Sequence, residues 1–170
     1  MSDFFRTAIG QDSHRLIDCS TDAEVKQSGK PLMLGGILIP DEPGLEGNSD
    51  ADVILHALTN AVSGITGINI LGEKADELCE SGATNSLVYL KEALSYLPSS
   101  MQIIHLSVSV EAARPKLAPH IEAIRRNLAR ILRLPVHSIG LTATSGEGLT
   151  ACGRGEGIMA TCILTVRELV

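Results

Sequence analysis

From Ile104 to Glu111 the chain alternates strictly: Ile104, Leu106, Val108 and Val110 against His105, Ser107, Ser109 and Glu111. A period of two predicts a strand with one face in the core and the other outside it. Just beyond, Leu117, Ile121, Ile124, Leu128 and Ile131 recur at spacings of 4, 3, 4 and 3, which predicts a helix with an apolar stripe. Arg125, Arg126, Arg130 and Arg133 fall on its other faces and read as a solvated surface or, alternatively, a phosphate site. The rest of the chain repeats this mixture. Strands are predicted at Phe5 to Gln11, at Leu32 to Ile39 with a break at Gly35-Gly36, at Ile139 to Ala143 and at Ile158 to Val166. A capped helix is predicted from Ser49-Asp50-Ala51-Asp52 to about Gly64, and another through Leu87, Leu90, Leu94 and Leu97. Residues 19–30 and the stretch from Gly67 to Asn85 read as loops, the second long enough to be a lid or binding loop.

The resulting order, ββ-α-α-β-α-β-β, predicts an α/β fold (an α+β sandwich): a mixed four- to five-stranded sheet with helices on one face. The opposite face then needs cover, and a partner subunit is a natural source. With 170 residues, 44% hydrophobic and 20% charged, the chain suits a single domain over 1–170. Phe4, Phe5, Tyr89 and Tyr96 are its only aromatic residues of the Phe, Trp and Tyr type. That scarcity disfavours a base-stacking single-strand binder, and 20 acidic against 14 basic side chains disfavours a duplex reader. No nucleic acid is expected as partner. No apolar run approaches the roughly 18 residues of a membrane span, and Met1 to Arg6 lacks the pattern of a secretory signal. Cys19, Cys79, Cys152 and Cys162 show no CxxC pair and read as free thiols in a reducing cytoplasm.

Asp12-Ser13-His14 ends the first predicted strand, so Asp12 and His14 share one side. His56 sits one turn beyond Asp52 on the next helix. One carboxylate and two imidazoles leave a tetrahedral position open, as at a catalytic zinc site. The plainer reading has His56 as a core histidine, with Asp50 and Asp52 complementing the helix dipole. Glu147 follows Thr144 and Ser145 in a glycine-rich turn suited to a diphosphate, or is part of an ordinary turn. Lys116, after Pro115, either neutralises phosphate or opens a helix. No dinucleotide fingerprint, Walker loop or nucleophile elbow is present.

Six ordered segments carry a resemblance. They are Gly10-Gln11-Asp12-Ser13-His14, Leu34-Gly35-Gly36-Ile37, Asn48 to Ala57, Arg114 to Pro119, Thr142 to Glu147, and Gly153-Arg154-Gly155-Glu156-Gly157-Ile158. Over about Ile9 to Thr165 the chain resembles the 2C-methyl-D-erythritol 2,4-cyclodiphosphate synthases of non-mevalonate isoprenoid synthesis. The resemblance implies a metal-dependent phosphorus–oxygen lyase, cytoplasmic and homotrimeric, with active sites shared between subunits. Its substrate would be 4-diphosphocytidyl-2C-methyl-D-erythritol 2-phosphate, whose own 2-phosphate attacks the β-phosphate and expels CMP.

Carried over by residue, Asp12, His14 and His56 would hold Zn²⁺, and Glu147 would hold Mg²⁺ or Mn²⁺. Ser145, Asn48 and Glu147 would be catalytic, with Ser145 standing where the family has Thr. Asn48 and Ser49 would face the substrate, beside Asp12 and His14. Ala112, Ala113, Arg114, Pro115, Lys116, Leu117 and Ala118, with Thr144, match the cytidine pocket. Arg154 and Glu156 match positions near the threefold axis, where some members lodge an isoprenoid diphosphate. Departures from the family pattern are Asn48 for His, Asn60 for Asp, the segment Gly67 to Gly72 with the acidic loop beyond it, and Ala151 for Phe. Two other readings compete: a zinc-binding trimer that only senses an isoprenoid diphosphate, and a metal-dependent phosphohydrolase.

Overall fold

The structure, a computed structural model, describes residues 3–17 and 29–168. Residues 19–28 of the first predicted loop, and Cys19, lie outside them. A four-stranded sheet is built from β1 (Phe4–Arg15), β4 (Met101–Glu111), β5 (Ile139–Thr144) and β6 (Gly157–Glu168), in the order β1-β6-β4-β5. β6 is antiparallel to both neighbours, while β4 and β5 run parallel. The mixed sheet therefore has the predicted character. Gly35-Gly36 does not merely interrupt a strand: it turns a hairpin of β2 (Pro31–Leu34) and β3 (Ile37–Pro43), which forms its own two-stranded sheet. Both glycines have positive φ, 59° and 74°, which a side chain would resist.

Four α-helices complete the described residues: α1 (Val53–Thr66), α2 (Glu73–Glu80), α3 (Ser86–Ser95) and α4 (Ile121–Leu132). Asp52, not Ser49, caps α1, accepting from the Ile54 and Leu55 N–H groups at 3.1 Å. The same buried carboxylate accepts from Gly35 and Gly36 at 2.8 and 2.6 Å, clamping the hairpin to the helix start. Burial raises the Asp52 pKa, and those backbone donors oppose the rise. The stretch expected to be loop from Gly67 to Asn85 contains α2. That helix buries no residue completely, so its pattern gives little hydrophobic signal.

β4 carries an irregularity that the alternation concealed. Its ladder to β6 slips between Ile103 and His105, so Ile103 rather than Ile104 enters the core. From Leu106 to Val110 the predicted phase holds. On α4, Ile124 and Leu128 are buried. Arg125 is not merely solvated: its guanidinium donates to the Ile139 and Val136 carbonyls at 2.8 and 3.1 Å, tying α4 to β5.

The helical face of the sheet buries Ile158, Ala160, Cys162, Leu164 and Val166 of β6 against α1 and its neighbours. Burial pushes the Cys162 thiol up to about 12, so it is an inert core group. Gly10 lets β1 touch α1: a Cβ there would lie 2.0 Å from the Ala57 carbonyl oxygen. The opposite face presents Ile9 beside Ile163, with Phe5 further along; they are 66%, 44% and 62% exposed. No helix among the described residues is long and apolar enough to cross a membrane.

Candidate active site

β1 runs past Gln11, so Asp12 and His14 stand within a paired strand, opposite Ala160 and Ile158 of β6. Both project to the side on which α1 packs, where His56 meets them. Asp12 Oδ2 lies 3.0 Å from His14 Nε2 and 3.0 Å from His56 Nδ1, and the two nitrogens are 3.4 Å apart. A tetrahedral ion with ligands at 2.0–2.1 Å has donor atoms about 3.3 Å apart, so this triangle is the size of one tetrahedral face. The donor set therefore fits a divalent cation. Without one, burial is the largest single influence on Asp12 and raises its carboxyl, but the adjacent His14 and His56 rings together outweigh it and hold the carboxyl at about 2. The Asp12 partner raises His14.

The triad opens into a cavity of about 240 Å³ that Asn48 and Ser49 also line. Its far wall is Leu71, Ala75, Asp76 and Cys79, from α2 and the turn before it. The segment read as a lid or binding loop is thus the wall of the site, made helical. Asn60, where the resemblance predicts Asp, donates to the Gln11 carbonyl at 2.9 Å. A carboxylate could not make that bond, and the bond helps fasten α1 to the strand just before Asp12. A second cavity of about 490 Å³ shares Asn48 and Ser49 and includes Lys30, Asp50 and Thr84.

Two residues of the surroundings escape a reading of the sequence alone. Ser86, buried at the start of α3, places Oγ 2.9 Å from His56 Nε2. Asp50 accepts a hydrogen bond from that hydroxyl and from the Ser86 N–H. They lie 36 positions apart, and no motif links them.

The remaining candidates form a separate group that does not line the triad cavity. Ala112 donates to the Thr144 carbonyl and Ala113 to that of Cys152, at 3.0 and 3.1 Å. Ala112, Pro115 and Leu117 point inward, while Ala113, Arg114, Lys116 and Ala118 face out. Thr144, Ser145 and Glu147 are exposed, and Ser145 Oγ accepts from the Glu147 N–H at 3.5 Å. Glu147 has a φ of 52°. Arg154 is paired with Glu156 at 2.8 Å. Ala151 lines a shallow cavity of about 320 Å³ with Ser13, His14 and Glu156. Across the sheet, Ser13 faces Met159, Met159 faces Glu111, and Glu111 faces Thr144. Both groups therefore lie at one end of the sheet, separated by three strand spacings, or about 14 Å.

A mixed sheet, a candidate two-His-one-carboxylate cation site and a facing cavity frame the active site of an α/β enzyme. Comparison with known proteins gives the family. The YgbB family model matches residues 5–167, and the chain belongs to that family. It is 46% identical over 165 residues to the 2-C-methyl-D-erythritol 2,4-cyclodiphosphate synthase of Chlamydia trachomatis, covering 96% of this chain and 89% of that one. The same enzyme of Chlamydia muridarum is 47% identical over the same coverage. A solved structure of such a synthase in a CDP-bound form superposes with a TM-score of 0.74 at 31% identity, over 94% of this chain and 98% of the other.

Proposed function

We propose that the chain converts 4-diphosphocytidyl-2C-methyl-D-erythritol 2-phosphate to 2C-methyl-D-erythritol 2,4-cyclodiphosphate and CMP, as one domain over 1–170 in the cytoplasm. Family membership supports the lyase activity and its place in non-mevalonate isoprenoid synthesis. The observation that carries the reading at the site is the Asp12–His14–His56 triangle beside a cavity walled by Asn48 and Ser49.

The reaction needs no protein nucleophile. A 2-phosphate oxygen attacks the β-phosphorus, the bond from that phosphorus to the bridging oxygen breaks, and CMP leaves with the electron pair. The task is to hold two phosphates of like charge in line and to neutralise them. Divalent cations, Zn²⁺ at the triad and Mg²⁺ or Mn²⁺ at Glu147, supply Lewis-acid charge to the phosphates when bound. Asn48 and Ser49 hydrogen-bond the 2-phosphate from the cavity wall. Backbone groups of residues 112–118 grip the cytosine, which accounts for a nucleotide site with so few aromatics, and Lys116 offsets phosphate charge. Thr144 and Ser145 hydroxyls orient the diphosphate.

The two groups of residues are about 14 Å apart by strand spacing, so a site using both is completed by an adjacent copy. A homotrimer with its open sheet faces inward would do this and would cover Phe5, Ile9 and Ile163. Arg154 and Ala151 would then flank a central cavity able to take an isoprenoid diphosphate. Incubation with the cytidine substrate, before and after chelation with metal loss verified, tests the proposal. Metal-dependent release of CMP with cyclic diphosphate supports it. Hydrolysed phosphate would point to a phosphohydrolase, and no product at all to a diphosphate-sensing trimer.

A further inference from the structure

Resting on the reading of the triad as a cation site, we infer that Asp50 and Ser86 are positioning residues that hold His56 in its cation-binding tautomer. Ser86 has a single hydroxyl hydrogen, whereas an ionised carboxylate only accepts. Asp50 receives the Ser86 hydroxyl, and it is anchored for that task by further bonds. Its Oδ1 and Oδ2 accept the Ser86 N–H at 3.1 and 3.2 Å, and Oδ1 accepts the Asp52 N–H at 3.3 Å.

With its hydrogen committed to Asp50, Ser86 Oγ can only accept from His56 Nε2, 2.9 Å away. The neutral His56 ring must then carry its hydrogen on Nε2, which leaves the Nδ1 lone pair bare. Nδ1 is the atom 3.0 Å from Asp12 Oδ2. Two lone pairs facing across that distance repel unless positive charge sits between them. The relay from His56 to Ser86 to Asp50 thus makes the triad demand a cation and orients the ring that receives it. Ser49 Oγ, at 3.4 Å from Nε2, is too distant to replace Ser86.

The relay also couples the cation to the cavity wall. Ser86 opens α3, and Asp50 N–H donates to the Thr84 carbonyl at 2.7 Å just before it. The ligand ring is thereby fastened to the connection that follows α2, whose Ala75 and Cys79 face the triad.

The test combines Zn²⁺ titration against a competing chelator with long-range ¹H–¹⁵N NMR of the His56 ring, metal-free at a pH where the ring is neutral. Wild type, Ser86→Ala, Asp50→Ala and Asp50→Asn are compared, with folding checked by circular dichroism. Wild type and Asp50→Asn, whose amide oxygen still accepts from Ser86, should show the hydrogen on Nε2. In Asp50→Ala the freed Ser86 hydroxyl should turn to His56 and move the ring hydrogen to Nδ1. Ser86→Ala and Asp50→Ala should bind Zn²⁺ about 10- to 100-fold more weakly. An Nε2 hydrogen retained in Asp50→Ala, or wild-type Zn²⁺ affinity in Ser86→Ala, would overturn the relay. If Asp50→Ala does not fold, the Ser86→Ala affinity decides alone. Failure of wild type to bind Zn²⁺ would instead remove the cation reading of the triad, while the metal-free tautomer still reports on the relay.

Discussion

Gly10→Ala should damage the site without altering any residue in it. A Cβ at position 10 would lie 2.0 Å from the Ala57 oxygen, 2.3 Å from the Ala61 nitrogen and 2.9 Å from the Asn60 carbonyl carbon. All three are backbone atoms of α1, so no side chain can swing away. Ordinary contact is about 3.5 Å, and the helix must retreat from β1 by an ångström or more. Overpacking of this kind costs about 1–3 kcal/mol, which for a chain of this length lowers Tm by about 2–12 °C. The site suffers more than the fold. His56 precedes Ala57 on α1, while Asp12 and His14 stay on β1, and their donor atoms are only 3.0 to 3.4 Å apart. Displacing one vertex by an ångström spoils the tetrahedral face, and Zn²⁺ affinity should fall at least tenfold. Thermal melts and a chelator-competition titration on the same preparation read both effects. A Gly10→Ala protein with wild-type Tm and Zn²⁺ affinity would refute the claim that this close approach sets the triad.

Two further outcomes follow. In the metal-free protein the depressed Asp12 pKa stabilises the fold above 3.8, and that contribution is lost as pH falls toward about 2. The raised His14 pKa stabilises it fully below 6.5 and is lost as pH rises through the raised value. A bound cation needs His14 neutral, so the Tm increment from Zn²⁺ should grow over the range where the metal-free contribution declines; parallel pH profiles with and without metal would contradict this. Ile9→Asp with Ile163→Asp should prevent the proposed homotrimer from forming, because the two side chains are neighbours on the uncovered face. Sedimentation velocity should show monomers, and an intact trimer would count against that face as the interface.

How much of this was legible beforehand depends on where each signal resides. Local periodicity placed β4 and α4, but not the slip at Ile104, which belongs to the ladder with β6. The polar residues Asp12 to His14 look like a strand end, yet pairing with β6 carries β1 on to Arg15. α2 reads as loop because a short polar helix without a buried residue leaves no hydrophobic stripe. The triad was visible as residue types, and six ordered segments gave the family. The Asp50–Ser86 relay was not visible, because tertiary closure alone brings those residues together.

The proposed reaction centre joins the triad of one copy to the Thr144–Glu147 group of another. A mixed-subunit assay tests it most directly. His56→Ala and Glu147→Gln should each be inactive alone. After co-refolding they should regain CMP release, because some interfaces pair an intact triad with an intact Glu147. Mixtures as inactive as either parent, with hybrid oligomers verified by mass, would contradict the shared centre.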